Sequence, residues 1–301
     1  MLYAGVDIGG TNIKVALIEI GKGDPKVLSK TSFPFAKAPC DALCENIAIS
    51  IRQLLFRDGK DIPDLKGIGL TVPGSIDQAG EVLLHAYNMG YHNVPVKAEL
   101  QKHFPDTHIN MINDAKAAAL AELKAGAFKG KKNALLLTLG TGLGTGLILD
   151  GKVFNGGCNR GSEIGHLPFK YGADHCTCGM DGCMEVYTSA TWIARQGRDR
   201  LGENFADAKA VKDAAAAGDL VAKEIFDEYT DNLATAIAGL CNVFDPEIVA
   251  LGGGLSAAGD MLYEPLKKLV AQRNFFKNEY EIVPAKTLND AGVIGAAISA
   301  V

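Results

Sequence analysis

Residues 135–151 read LLLTLGTGLGTGLILDG: an apolar run enters, a cluster of Gly and Thr interrupts it, and a second apolar run leaves. The same grammar occurs at the N-terminus. There Leu2–Val6 meets Asp7-Ile8-Gly9-Gly10-Thr11, and a second apolar run covers Ile13–Ile20. A hairpin needs only two turn residues. The surplus of Gly and Thr implies that something other than protein approaches the backbone, because Gly lets N–H groups close on an anion and Thr adds a hydroxyl donor. A repeated phosphate-sized turn implies a duplicated fold with two related halves.

The rest of the chain fits that frame. Apolar residues at 40, 43, 44, 47, 51, 54 and 55 have helical spacing, and Cys40 and Cys44 on that face read as small core hydrophobes. GIGLTVPGSID (67–77) is a buried strand ending in a Pro-Gly turn, and HINMIND (108–114) is a strand running into the helix AKAAALAELKAGAF. Residues 189–243 are Ala-rich and helical until Asp245-Pro246. A strand at 248–251, a GGG turn, a helix through 261–272, a short strand EIVPA and a closing helix AGVIGAAISA complete the chain. Strands alternating with helices predict an α/β protein with mostly parallel or mixed sheets covered by helices. Its ligands are expected at the carboxyl ends of strands, in a cleft between the halves.

Three groups carry chemistry. The two Gly/Thr turns would grip a polyphosphate, with Asp7 holding Mg²⁺ directly or through water; neither turn is a Walker A loop. Asp114 lies where a strand meets a helix N-terminus. It reads either as a helix cap or as a base that orients a hydroxyl, and phosphoryl transfer asks little more, since its loose transition state lets the proton leave late. Cys176, Cys178 and Cys183 form C-x-C-x4-C in an irregular loop with His166 upstream, a set suited to structural zinc; His175 and Cys158 are rivals for a place in it. A metal-anchored His166 would keep its other nitrogen protonated as a fixed donor. Glu163 and Glu185 flank the same loop and would accept hydrogen bonds from vicinal hydroxyls.

The net charge of −5 and the lack of a dense Lys/Arg block argue against nucleic acid as a partner. No apolar stretch is long enough to span a bilayer, and the start lacks the features of a signal peptide, so the expected location is the cytoplasm, with reduced cysteines.

Together these residues resemble the ROK family (repressors, reading frames and sugar kinases), in its sugar-kinase branch, over essentially the whole chain. DIGGTNIK is similar to the family's first phosphate motif, NDAKAAALAE to its catalytic segment and LGTGLGTGLILDG to its second phosphate loop. GSEIGH with CTCGMDGCME is similar to its signature and zinc loop, and DPEIVALGGGLS to its nucleoside-side strand and turn. VPGSID…AYNMGYHNVPV is similar to the stretch that glucokinases of the family use beside the sugar. The resemblance implies an actin-like (ribonuclease H-like) ATPase fold with two lobes. The smaller would be 1–112 with the C-terminal helix 290–301 packed on it, and the larger 113–289. It implies ATP and Mg²⁺, a structural Zn²⁺, a small-molecule sugar and a homodimer.

By position, the resemblance makes Asp114 the base and Asn113 a sugar ligand. Glu163, His166 and Glu185 would bind ring hydroxyls, and Asn88 would line the pocket. Asp7, Gly9, Gly10, Thr11, Lys14, Thr141 and Gly142 would serve the phosphates and their metal. Gly252, Gly253 and Gly254 would face the adenosine, and His166, Cys176, Cys178 and Cys183 would hold zinc. The implied activity is ATP-dependent phosphorylation of a hexose at C6, glucose first. Alternatives are kinases for N-acetylmannosamine, N-acetylglucosamine, fructose or allose, or, in a different class, a sugar-responsive regulator without its DNA-binding domain. Three positions depart from the usual family residues: Lys116 replaces Asn, Tyr91 replaces Trp and Ser162 replaces Ala.

Overall fold

A computed structural model describes residues 1–35, 37–86 and 89–301. Strands β1 (Leu2–Ile8), β2 (Asn12–Glu19) and β3 (Lys26–Pro34) lead to helix α1 (Cys40–Arg57) and strand β4 (Leu65–Val72). Short strands β5 (Ser75–Ile76), β6 (Leu83–Ala86) and β7 (Tyr91–Val94) precede α2 (Val96–Gln101), β8 (Ile109–Asn113) and α3 (Asp114–Ala125). Next come β9 (Ala134–Leu139), β10 (Leu143–Leu149), β11 (Lys152–Val153), α4 (Glu185–Thr188), α5 (Ala190–Leu201), α6 (Ala208–Ala216) and α7 (Leu220–Phe244). The chain closes with β12 (Ile248–Gly252), α8 (Asp260–Arg273), β13 (Ile282–Pro284) and α9 (Ala291–Ser299). The stretch read as helical over 189–243 is three helices, interrupted around Gly202 and Gly218. No helix among the described residues is long and apolar enough to cross a membrane.

Two sheets have the same strand order. One runs β3-β2-β1-β4-β8 and the other β11-β10-β9-β12-β13. In each, a Gly/Thr turn joins an antiparallel pair (β1 with β2, β9 with β10), and the first strand of the pair also takes a parallel neighbour (β4 or β12). The parallel partner carries a further parallel strand, β8 or β13. This duplicated order is what the repeated strand–turn–strand grammar predicts. The central strands are apolar on both faces, as sheets covered by helices require.

The chain forms two compact units: Met1–Gly130 with Lys152–Ser162 and Lys286–Val301, and Lys131–Gly151 with Glu163–Ala285. The boundary expected near 113 therefore falls later, after α3. The physical reason is close packing of α3 on α9, where Gly295 lies against the backbone of Ala117 so tightly that a methyl group at 295 would overlap its carbonyl oxygen. In the first unit, α1 covers one side of the core with Leu43, Cys44, Ile47, Ile51, Leu54 and Leu55. A second cluster joins Tyr3, Ala16, Ile18 and Ala121 to Val293, Ile294, Ala297 and Ala300. The core of the other unit joins Leu135, Leu137, Val249 and Leu251 to Ile193, Phe226, Tyr229 and Leu266.

Glu122 on α3 is 1% exposed and is satisfied by four donors. Oε1 accepts from the N–H groups of Lys286 (2.9 Å) and Thr287 (2.7 Å) and from Thr287 Oγ1, and Oε2 accepts from Ala127 N (2.6 Å). This carboxylate fixes the chain just ahead of α9. A glutamine at 122 would turn an NH₂ group towards one of these N–H donors. Glu122→Gln is expected to cost about 2–3 kcal/mol, the scale of a charge-assisted hydrogen bond lost in the interior. Chemical denaturation reads this directly, and a change under 0.5 kcal/mol on the scale of an ordinary surface substitution would contradict it.

Candidate active site

Asp7 is the penultimate residue of β1, beside Thr71 in β4 and Lys14 in β2. Thr71, fully buried in an otherwise apolar strand, donates from Oγ1 to Asp7 Oδ1 at 2.8 Å. Lys14 Nζ lies 3.7 Å from Asp7 Oδ2 and donates to the carbonyl of Asn289 at 3.1 Å. Gly292, in the first turn of α9, faces the same carboxylate: a Cβ there would lie 2.5 Å from Asp7 Cγ. The carboxylate is thus held at a helix N-terminus, where partial positive charge favours an anion. Thr71 and Gly292 were not among the sequence-predicted residues. A lone Thr inside GIGLTV was the available signal for the first; nothing local marks the second.

The first turn carries Gly9, Gly10 and Thr11. Gly9 N–H donates to Asn12 O, and Thr11 O accepts from Phe35 N–H, so the turn is tied to its own hairpin and to the end of β3. The second turn is braced differently. Glu185 Oε2 accepts from Leu143 N–H at 2.8 Å, Ala190 N–H donates to Gly140 O at 2.8 Å and Thr191 Oγ1 donates to Thr141 O at 2.6 Å. At Gly142 a Cβ would overlap Glu185 Oε2, so a side chain there would displace the Glu185 carboxylate from its bond to Leu143. Around Gly140, in contrast, the protein places nothing within 4 Å of where a Cβ would be. One glycine of the turn thus makes room for the Glu185 carboxylate, while packing does not explain the other.

Asn113, not Asp114, caps α3. Its Oδ1 accepts from Ala115 N–H (3.0 Å) and Lys116 N–H (3.2 Å), and its Nδ2 donates to Gly74 O (3.1 Å). The amide expected to touch sugar is thus already engaged at both ends. Asp114 is the first helical residue, and its Oδ1 accepts from Ala115 N–H at 2.7 Å. Lys116 is buried, and Nζ donates to Asn159 O at 3.2 Å; Asn159 Nδ2 in turn donates to Asp77 O. Asn88, expected to line the pocket, lies outside the described residues.

In the second unit, Glu163 is exposed and precedes a single 3₁₀ turn, Ile164–His166. One ring nitrogen of His166 and the thiols of Cys176, Cys178 and Cys183 offer four ligand atoms all within 4.8 Å of one another. Cys178 Sγ and Cys183 Sγ are 3.6 Å apart, and Cys176 Sγ lies 3.8 Å from His166 Nδ1. Four donors on bonds of about 2.3 Å at tetrahedral angles stand about 3.8 Å apart, so the set has the span of a metal tetrahedron. Burial first, then the adjoining thiols, pushes Cys183 up to about 12, so a metal would have to displace a firmly held proton. The loop closes because Gly182 lies under the Lys170 carbonyl with φ of +77°, a position no side chain could share. His175 is exposed and pairs with Asp181 instead, and Cys158 is exposed. Gly252 ends β12, Gly253 lies against the Leu139 backbone, and Gly254 has open space around it.

The chain matches the profile described as ROK family over residues 3–301. It is 37% identical to a glucokinase of Halalkalibacterium halodurans, over 97% of this chain and 93% of that one. Among solved structures, a ROK hexokinase from Thermus thermophilus superposes with a TM-score of 0.88 at 29% identity, covering 100% of this chain and 98% of its own. A ROK family glucokinase from Streptomyces griseus, in complex with glucose and AMPPNP, gives 0.82 at 27% identity, covering 100% and 99%. The duplicated sheet order and these likenesses define an actin-like ATPase fold. With the two Gly/Thr turns, the acid heading α3 and the Cys/His loop all in their places in the sequence, this chain belongs to the ROK family.

Proposed function

We propose that this protein is an ATP-dependent sugar kinase that phosphorylates a hexose at its C6 hydroxyl, with D-glucose as the preferred acceptor. The observation that carries the reading is near-full-length similarity to a glucokinase in a chain that keeps a carboxylate, Asp114, at the head of α3. Asp114 orients the C6 hydroxyl and accepts its proton as the oxygen attacks the γ-phosphate. Because the transition state is loose, proton transfer can lag behind phosphoryl transfer, and an ordinary carboxylate suffices. Gly9, Gly10, Thr11, Thr141 and Gly142 approach the phosphates through backbone N–H groups and Thr hydroxyls, and Gly252, Gly253 and Gly254 admit the nucleoside. Asp7, held by Thr71, would hold Mg²⁺ directly or through water, and Lys14 adds positive charge beside it. Mg²⁺ neutralises charge on the phosphates.

Glu163, His166, Glu185 and Asn113 hold ring hydroxyls. Glu185 has a double duty, because one of its oxygens is committed to Leu143 N–H in the second phosphate turn. Sugar binding and turn geometry are therefore coupled through one side chain. Asn88 completes the sugar side by resemblance. His166, Cys176, Cys178 and Cys183 would hold a structural zinc ion, which would brace the loop that carries the sugar ligands. The enzyme acts as a cytoplasmic homodimer, which sedimentation and fractionation test.

The deciding experiment measures ADP release over a panel of hexoses and N-acetylhexosamines. Glucose is expected to give the highest kcat/KM, with strict dependence on ATP and Mg²⁺. No ADP release with any sugar would overturn the kinase reading, and a higher kcat/KM for N-acetylmannosamine, N-acetylglucosamine, fructose or allose would move the assignment to that sugar. For the metal, elemental analysis is expected to find one zinc per chain as an order-of-magnitude stoichiometry, roughly 1. Cys178→Ser is expected to weaken zinc binding by at least about tenfold and to raise the sugar KM together with it. Full zinc content in that variant would remove Cys178 from the ligand set.

A further inference from the structure

We propose that Cys40 and Cys44 form a reversible redox modification site, at which a low-molecular-weight disulfide such as glutathione disulfide oxidises the pair to an intramolecular disulfide. The two residues open α1, with Cys40 as its first helical residue. Their Sγ atoms stand 4.0 Å apart. Residues i and i+4 of an α-helix have Cα atoms about 6.2 Å apart, inside the range that disulfides span. Their Cβ atoms are about 5–6 Å apart, against about 3.5–4.5 Å in a disulfide, so closure requires the first turn to yield by about 1–2 Å. The turn able to yield is this one, since Pro39 provides no side-chain cap. A bond closed against such resistance is readily reduced, which makes the modification reversible by modest thiol concentrations.

The pair is asymmetric in the way a two-step exchange needs. Cys40 is partly exposed, whereas Cys44 is fully buried with Sγ 3.6 Å from Val96 O. Contact with the Cys44 sulfur lowers the Cys40 thiol below its usual range, aided by Lys102 and opposed by burial, Glu99 and Asp41. The same contact and burial raise Cys44. Accessibility makes Cys40 the attacking thiolate and the buried Cys44 the resolving thiol. Cys40 attacks one sulfur of glutathione disulfide, forming a mixed disulfide and releasing one glutathione thiolate. That thiolate takes up a proton as Cys44 gives one up. Cys44 then attacks Cys40 Sγ and expels the second glutathione. Two electrons pass from the dithiol to glutathione disulfide, which leaves as two thiols.

Trypsin isolates the site, because Lys37 and Arg52 bracket a peptide, Ala38–Arg52, that contains both cysteines and no other. Native full-length protein is exposed to glutathione disulfide, quenched with acid, alkylated under denaturing conditions and digested. The peptide is expected to be lighter by two hydrogens and unalkylated, and to return to the doubly alkylated form after reduced glutathione. Cys44→Ala is expected to stop at a glutathione adduct on Cys40, and Cys40→Ser to leave Cys44 alkylatable after the same exposure. A doubly alkylated wild-type peptide, a wild type that stalls at the adduct, or equally fast modification of Cys44 in Cys40→Ser would overturn the proposal. The wild-type peptide decides even if a variant folds poorly, and it decides independently of kinase activity.

Discussion

Asp114→Asn is expected to lower kcat by about a hundred- to ten-thousand-fold, the contribution of a positioned general base, while the fold and the metal content stay as they are. The structure separates those effects because the helix cap is a different residue. Asn113 accepts from Ala115 and Lys116, so α3 keeps its N-terminal hydrogen bonds whatever stands at 114. An asparagine at 114 also keeps an oxygen that can accept from Ala115 N–H, as Asp114 Oδ1 does now. What it loses is the negative charge at the first turn, a loss of about 0.3–1 kcal/mol in stability, and the ability to take a proton. The sugar KM should move little, because the amide still accepts a hydrogen bond from a hydroxyl. The companion variant Asn113→Ala should show the opposite pattern. It removes the cap and the tether to Gly74 O, costs about 1 kcal/mol or more in stability and disturbs binding before turnover. Near-native turnover in Asp114→Asn, with steady-state and single-turnover rates measured on the same preparation, would dismiss the carboxylate as the base.

How much of this could be read from the chain alone depends on the distance over which each feature is decided. The strand–turn–strand units around Gly9–Thr11 and Gly140–Gly142 were legible because a period-2 or continuous apolar run interrupted by Gly and Thr is a local signal, and its repetition predicts the equivalent sheet orders. The His166, Cys176, Cys178 and Cys183 cluster was legible because thiols crowded in a Gly-rich loop have few other uses, and the four donors do converge. Of the two readings of Asp114, the helix cap belongs instead to its neighbour Asn113; both residue types favour that position and only the hydrogen bonds of Oδ1 distinguish them. The reason for Gly142 was invisible, because it lies 43 positions away in Glu185 by sequence number. Burial of Glu122 and Lys116 was equally hidden, because the backbone groups of 286–287 and of Asn159 that receive them are distant in sequence. The close approach of α9 to β1 and β4 belongs to the same class.

That approach carries the largest expected loss of stability. Gly5 in β1 faces the backbone of Val293, Gly67 in β4 faces Ala300, and Gly69 in β4 faces Ala296. A methyl group at Gly69 would lie far inside the 3.0 Å that real Cβ atoms keep, against a backbone carbonyl that cannot rotate away. Relief requires α9 to lift from the sheet or β4 to leave its place between β1 and β8, and both ladders would suffer. Lifting α9 would also part Gly292 from the Asp7 carboxylate and Gly295 from Ala117. Gly69→Ala is therefore expected to cost more than about 4 kcal/mol, beyond the range of ordinary substitutions. For a chain of this size that lowers the melting temperature by about 6 °C or more. The comparison is Gly21→Ala or Gly23→Ala in the turn between β2 and β3, where nothing lies within 4 Å of the added carbon; each should stay within about 0.5 kcal/mol of the parent. All three add the same methyl group and remove the same backbone freedom, so the difference between them isolates the overlap. A Gly69→Ala protein that melts with the Gly21 and Gly23 variants would mean that α9 does not lie flush on β4, and the support inferred for Asp7 from Gly292 would go with it.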